Sequence, residues 1–385
     1  MEEINYGKQT IEDDDINEVI KVLKSNQLTS GPFVKEFEND ISNKFDSKYC
    51  SVVSSGTAAL HLTGLVLNWN EKDIVITTAL TFIASINSIL YCGARPDVVD
   101  IDLNTYCINI DKLESKIKNY INNGKKVKAV IAVDFAGHPC QWEDLYALSK
   151  KYDFNLVNDN CHAIGAKYKG NIGYAAKYAN LVTHSYHPVK NITTGEGGSV
   201  LTNNKDYYDK IQLLRSHSIN RSATNQNNKN WFYDINSVGY NYRLTDIQCA
   251  LGINQLKKLD QFIGTRNKIA NKYLQSFEDD KKFILPIISS EVSHAFHLFI
   301  LRIDFNLAKL DKENFFIKMK ERGINLQVHY IPIYKHKYLS EKYKFEESEF
   351  ENLNLYYQQA VSLPIYPTLT DEQQEYVIKN IKELI

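Results

Sequence analysis

Between residues 49 and 203 the hydrophobic and polar positions alternate between two textures. Short β-branched runs form the first: YCSVVSS (49–55), DIVITTA (73–79), RPDVVDID (95–102), VKAVIAVDF (127–135), FNLVND (154–159), NLVTHSY (180–186) and GSVLTN (198–203). Several are apolar almost throughout, the pattern of strands covered on both faces. Between them lie segments with helical spacing, such as TAALHLTGLVL (57–67), IDKLESKIKNYI (110–121) and QWEDLYALSKKY (141–152). Strand and helix in alternation predict an α/β fold with a mostly parallel, doubly wound sheet. Strand order does not follow from this pattern.

The texture changes after residue 243. Residues 244–277 read as one long helix with Thr245 as its N-cap, and Gly252 and Gly264 mark packing contacts or a bend. A strand (HLFILRIDF, 297–305), a helix (KENFFIKMKERG, 312–323), a strand (LQVHYIP, 326–332) and a final helix from Asp371 follow. This predicts a large domain over 1–250 and a smaller α+β domain over 251–385, with residues 1–15 as a candidate addition to the smaller one. The polar, Asn-rich stretch NRSATNQNNKN (220–230) reads as an exposed loop.

Composition adds exclusions. The 385 residues are 43% hydrophobic and 24% charged, enough to bury a large core. Forty-five basic against 46 acidic side chains leave a net charge of −1, so no bulk field draws nucleic acid or an anionic membrane. An anion has to be held locally. Residues 1–20 carry acids and no apolar core, unlike a signal peptide, and no apolar run nears the ~18 residues of a membrane span. Six cysteines lack paired spacing, so the expectation is a cytoplasmic protein with reduced thiols.

Four groups sit at strand ends, where the ligand crevice of such a sheet lies. SSGTAAL (54–60) turns from strand to helix through Gly56, where backbone approaches closely and free N–H groups with Ser55 and Thr57 attract phosphate. A plain capped turn would use the same residues. Phe82 follows a strand as either a ring-stacking aromatic or a core side chain. Asp159 ends a very apolar strand, where a carboxylate needs a cation, hydrogen bonds or a helix to cap. Its neighbours Cys161 and His162, with His184 and His187, match no common zinc spacing, so no metal is expected.

The fourth group is THSYHPVKNITTGEGGSV (183–200). Lys190 stands among aromatic, proline and glycine residues rather than on a polar face. A desolvated lysine has a lowered pKa and attacks carbonyls, whereas a snorkelling lysine does neither. No lysine follows the glycines of TTGEGGS, so this is not a Walker A loop. A phosphate cradle, a stacking aromatic, a buried acid and a carbonyl-seeking lysine together match the needs of pyridoxal phosphate.

These motifs, with NQLTSGPFVKEFE, DNCHAIGA, GYNYRLTDIQCALG, INLQVHYIPIY and VSLP, make the chain resemble the DegT/DnrJ/StrS-type sugar-nucleotide aminotransferases over nearly its whole length. The resemblance implies a fold-type I architecture like that of aspartate aminotransferase and pyridoxal phosphate as cofactor. Lys190 would form the Schiff base, Asp159 would pair with the pyridine nitrogen, Phe82 would stack on the ring and His162 would lie near its other side. Gly56, Thr57 and Ser185 would hold the phosphate. Asn241, with Arg243, would reach that region from a second subunit, implying a homodimer. Tyr6, Thr29, Gly31, His329 and Tyr330 are candidates for the sugar or the amino donor.

The implied reaction moves an amino group from L-glutamate to a nucleotide-linked 4-keto-6-deoxyhexose. RSHS, GYNYRL and LQVHYIPIY favour the UDP-linked keto sugar of pseudaminic acid-type synthesis. Other 3-keto or 4-keto nucleotide sugars are the alternative. Lys190 separates the chain from the pyridoxamine-dependent dehydratases, where histidine takes its place. A cofactor-binding regulator is the remaining alternative, and its basic helix-turn-helix is missing from the sequence. Four features depart from the family pattern: Ser218 for glycine, Asn160 and Cys161 for small residues, Tyr186 for phenylalanine, and the Asn-rich loop.

Overall fold

The computed structural model describes residues 3–220 and 231–385. All seven strands expected in the first half form one sheet: β1 (Tyr49–Val53), β2 (Ile74–Thr78), β3 (Arg95–Val99), β4 (Val127–Val133), β5 (Asn155–Asp159), β6 (Leu181–Ser185) and β7 (Gly198–Thr202). Their spatial order is β1-β7-β6-β5-β4-β2-β3. The pairings from β6 to β3 are parallel, and β7 runs antiparallel between β1 and β6. This is the α/β, fold-type I-like architecture.

The period-2 alternation of each strand explains why both sheet faces are apolar. Val75, Ala129, Val157, Leu181 and Val200 point to one side, against the helices Gly56–Val66, Ile83–Tyr91 and Lys205–Leu214. Ile74, Ile76, Val130, Leu156, Val182 and Leu201 point to the other. There they meet Phe37 and Ile41 of Pro32–Lys44, Leu113 and Ile117 of Ile110–Asn122, and Trp142 and Leu145 of Trp142–Tyr152.

The long helix is continuous over Asp246–Phe277. Thr245 and Gln248 form a reciprocal capping box at its start. Gly252 is a packing contact: a Cβ there would lie 2.5 Å from Phe37 Cζ. Gly264 meets nothing within 4 Å, so it serves no close contact. Cys249, Ile253, Leu256 and Phe262 join the core beneath the large sheet. Ile269, Ala270, Tyr273 and Phe277 enter a second core with Ile4, Phe315 and Val377.

That second core covers a three-stranded antiparallel sheet in which β8 (Phe299–Ile303) lies between Phe283–Ile284 and β9 (Ala360–Leu363). Helices form over Lys312–Glu321 and Asp371–Leu384 as expected. The strand expected over 326–332 does not form. Pairing stops at Ile324–Asn325, which is parallel to Ile4–Asn5, and Gln327 adds only an isolated bridge to Ser362. The His329 carbonyl accepts from Tyr356 Oη at 2.6 Å instead of from a neighbouring strand, and Pro332 has no ladder N–H to give.

Arg266 joins these parts. Its fully buried guanidinium donates to the carbonyls of Phe296, His297 and Ile365 at 3.2, 3.3 and 2.9 Å. All six cysteines are unpaired. Among the described residues no helix is long and apolar enough to cross a membrane. Apart from Asn220, which pairs with Asp234, the Asn-rich stretch lies outside the described residues.

Candidate active site

The C-terminal ends of β1, β2, β5 and β6 and the loops after them open onto one cavity of about 650 Å³. Gly56, Thr57, Phe82, Asp159, His162, Ser185 and Lys190 all line it. Tyr6, His329 and Tyr330 also line it, Tyr6 and Tyr330 packing on a further apolar cluster that includes Phe135 and Tyr356.

After β1 the chain turns straight into a helix. Ser55 caps it, its Oγ accepting from Ala58 N at 3.1 Å. The remaining first-turn N–H groups face the cavity with the dipole's positive end, a ready anion site. Gly56 is required by close approach, since a Cβ would stand 2.8 Å from Ser185 Cβ and 3.1 Å from Ser185 Oγ. After β2, Phe82 is 54% exposed and caps the next helix without a side-chain bond. Of the two readings of this aromatic, the structure shows the solvent-facing one.

Asp159 is buried at the end of β5 and caps no helix, because a turn follows. Its Oδ2 accepts from Ser85 Oγ at 2.8 Å and its Oδ1 from Cys161 N at 3.3 Å. Ser85 is tied in turn to Thr81 Oγ1 at 2.8 Å. The residues on either side, Asn158 and Asn160, point the opposite way. Both donate to Asp134 Oδ2, at 3.0 and 2.9 Å, and Tyr174 Oη adds a third bond at 2.7 Å. This buried carboxylate, whose pKa burial pushes up, holds both neighbours of Asp159 and so sets its direction.

Lys190 follows β6 in a tight turn, its N–H donating to His187 O at 2.8 Å. Burial lowers its amine's pKa, and Cys161 and Asp159 oppose that shift. His162 sits nearby with its ring centroid 4.4 Å from that of His297. Burial is the main cause that pushes both imidazoles well below their ordinary range. The His297 Nδ1 has no hydrogen-bond partner among the described residues.

Four expected site residues lie off this cavity. Thr29 bridges to Thr245, and Gly31 N donates to Asp246 Oδ2 at 2.7 Å, placing both at the start of the long helix. Asn241 is exposed and bridges to Ser216, and Arg243 follows it. His184 also turns away, packing on Phe45 at 4.9 Å and meeting Ser199 Oγ at 3.3 Å.

The departures have local accounts. Ser218 adopts φ +56, a left-handed conformation in which glycine costs least, and its Oγ meets Ser237 Oγ at 2.9 Å. The extra hydroxyl of Tyr186 is bonded to Ser199 Oγ at 2.7 Å. Cys161 Sγ would stand 3.4 Å from a Cβ on Gly56, tightening the cradle. Sequence reasoning missed Ser85, Asp134 and His297. The only signal for His297 was a pair of histidines, His294 and His297, ahead of a strand.

Residues 9–382 match the profile of the DegT/DnrJ/EryC1/StrS aminotransferase family. Over 374 residues the chain is 37% identical to the UDP-4-amino-4,6-dideoxy-N-acetyl-β-L-altrosamine transaminase of Campylobacter jejuni, covering 97% of this chain and 95% of that protein. Helicobacter pylori PseC, an aminotransferase of pseudaminic acid biosynthesis, superimposes with a TM-score of 0.89 at 28% identity, covering 100% of this chain and 99% of that one. Spr1654 of Streptococcus pneumoniae, solved in a PLP form, gives 0.89 at 28% identity with 99% and 98% covered. The chain belongs to the DegT/DnrJ/EryC1/StrS aminotransferase family.

Proposed function

We propose that the protein transfers an amino group from L-glutamate to a nucleotide-linked 4-keto-6-deoxyhexose, with pyridoxal phosphate as cofactor. The observation that carries this reading is that Lys190 and Asp159 line one cavity beneath the Gly56 cradle. The residues fit the cofactor. The cradle admits no Cβ, the helix start presents free N–H groups, Phe82 offers an uncovered ring, and about 650 Å³ is ample for a small cofactor and part of a sugar.

When bound, pyridoxal phosphate supplies an aldehyde that condenses with amines and a ring that accepts electrons. Gly56, Thr57 and Ser185 would hold its phosphate, and Phe82 would offer its ring to the cofactor's. Asp159 would keep a proton on the ring nitrogen. Lys190 Nζ, its proton affinity lowered by burial, anchors the cofactor and acts as base and acid: it takes a proton from the glutamate α-carbon and later delivers one to the sugar carbon that receives nitrogen. The products are 2-oxoglutarate and an amino sugar.

The relative from C. jejuni supports UDP-2-acetamido-2,6-dideoxy-β-L-arabino-hex-4-ulose as the acceptor. A panel of UDP-, dTDP- and GDP-linked keto sugars tests it. Glutamate should bleach the cofactor's absorbance near the visible edge, and the UDP-linked 4-keto sugar should restore it fastest. Restoration by a GDP- or dTDP-linked sugar alone would reassign the substrate, and no response to glutamate would end the aminotransferase reading.

We also propose a homodimer with shared sites, in which Asn241 and Arg243 reach the partner's phosphate region. The exposed apolar residues Trp231, Ile235 and Val238, 78%, 61% and 80% accessible, precede Asn241 and support a covered face there. Mixing Lys190→Ala with an inactive Asn241→Ala variant should restore activity, because one site of each heterodimer then carries neither lesion. Proven heterodimers without recovery would return Asn241 to its own chain's site.

A further inference from the structure

One proton beside Lys190 has its direction set by the chain. The Ala136 amide can only donate, and it lies 3.3 Å from His162 Nδ1. Ala136 adopts φ +57 in the short turn after β4, which aims its N–H at the ring. His162 Nδ1 is therefore an acceptor. Burial first, and the neighbouring Lys190 next, keep this imidazole neutral, so its one ring hydrogen is on Nε2. Nε2 lies 3.0 Å from Tyr330 Oη and donates to it.

The consequence falls on Tyr330. Its own hydroxyl hydrogen has no place in that contact and points elsewhere. Burial, followed by Tyr6 and Asp159, raises the phenol's pKa, so the hydrogen stays on. Among the described residues no other acceptor takes it. The ring lies 5.7 Å from Phe82 and 6.2 Å from Phe135, at the cavity wall.

We propose that Tyr330 donates a hydrogen bond to the keto oxygen of the bound sugar, and that His162 is a positioning residue that holds Tyr330 as a donor. The inference rests on the amino-transfer reading above. A carbonyl oxygen only accepts, so a phenol locked as donor matches it and polarises the carbon toward the incoming amine. The carboxylate of the amino donor has the same accepting chemistry, and the two half-reactions separate these sources.

The test uses holoenzyme labelled with ¹⁵N-histidine, and the Tyr330→Phe variant. The His162 signals should show a neutral ring protonated at Nε2; a ring protonated at Nδ1, or at both nitrogens, overturns the proposal. In Tyr330→Phe, single turnover with the keto sugar should slow roughly 100-fold, the scale of one lost oxyanion-type donor, and far more than the glutamate half-reaction. Equal slowing of both halves, slowing of the glutamate half alone, or no slowing overturns the contact with the sugar. Wild-type enzyme that turns over both substrates keeps the amino-transfer reading intact in each of these cases. Wild-type enzyme that reacts with neither substrate fails at the earlier reading instead.

Discussion

Lys190→Ala is expected to abolish amino transfer, with a loss of at least ~10⁴-fold, because one side chain performs both the anchoring and the proton transfers. Among the described residues no other lysine lines the cavity, and the nearby imidazoles of His162, His297 and His329 are all depressed by burial. They are neutral but weak bases and poor stand-ins for an amine. The fold should survive, since removing a partly buried lysine relieves desolvation instead of stranding a partner: Lys190 Nζ makes no hydrogen bond or ion pair among the described residues. Pyridoxamine phosphate should still bind through the Gly56 cradle. Single-turnover kinetics with glutamate, beside a thermal melt, check this. A folded variant that turns over near the wild-type rate would remove Lys190 from the mechanism.

Asp159→Asn is the second large effect, with an expected loss of at least ~100-fold, the scale of a misprotonated catalytic group. The substitution preserves shape. Asn Oδ1 can still accept from Cys161 N, and Ser85 Oγ, already linked to Thr81, can accept from the new amide. Asn158 and Asn160 remain clamped by Asp134, so the strand end stays in place. What disappears is the negative charge that holds a proton on the cofactor's ring nitrogen. The expected signature is a shifted cofactor absorbance and slow glutamate turnover at unchanged melting temperature. Retention of most activity and of the wild-type spectrum would reduce Asp159 to a turn residue.

Asp159 was legible because it closes an apolar strand, and Lys190 because it stands among aromatic, proline and glycine residues in the turn that follows another. A charged side chain at the end of a strand buried on both faces, as Asp159 is at the end of β5, cannot be there for solvent. Gly56 was legible for a related reason, as small residues between a strand and a helix leave N–H groups free. Phe82 was ambiguous, because exposure depends on what packs opposite and not on the residue itself. The expected strand at 326–332 failed on neighbours: its pattern is apolar, but only Gln327 finds an isolated bridge and the His329 carbonyl is taken by Tyr356.

Local quantities in the chain therefore determined most of the elements, the sheet class and several of the side chains that line the cavity, since periodicity, capping and desolvation act over a few residues. The long helix of Asp246–Phe277 and its Thr245–Gln248 cap belong to that group. Only the tertiary structure decided the strand order β1-β7-β6-β5-β4-β2-β3, which brings four loop ends onto one cavity. It alone placed Asp134 behind Asp159, set His297 against His162, and aimed the Ala136 amide at a ring 26 positions away in sequence. Which acceptor a donor finds is a matter of distance in space, and no residue carries that information by itself.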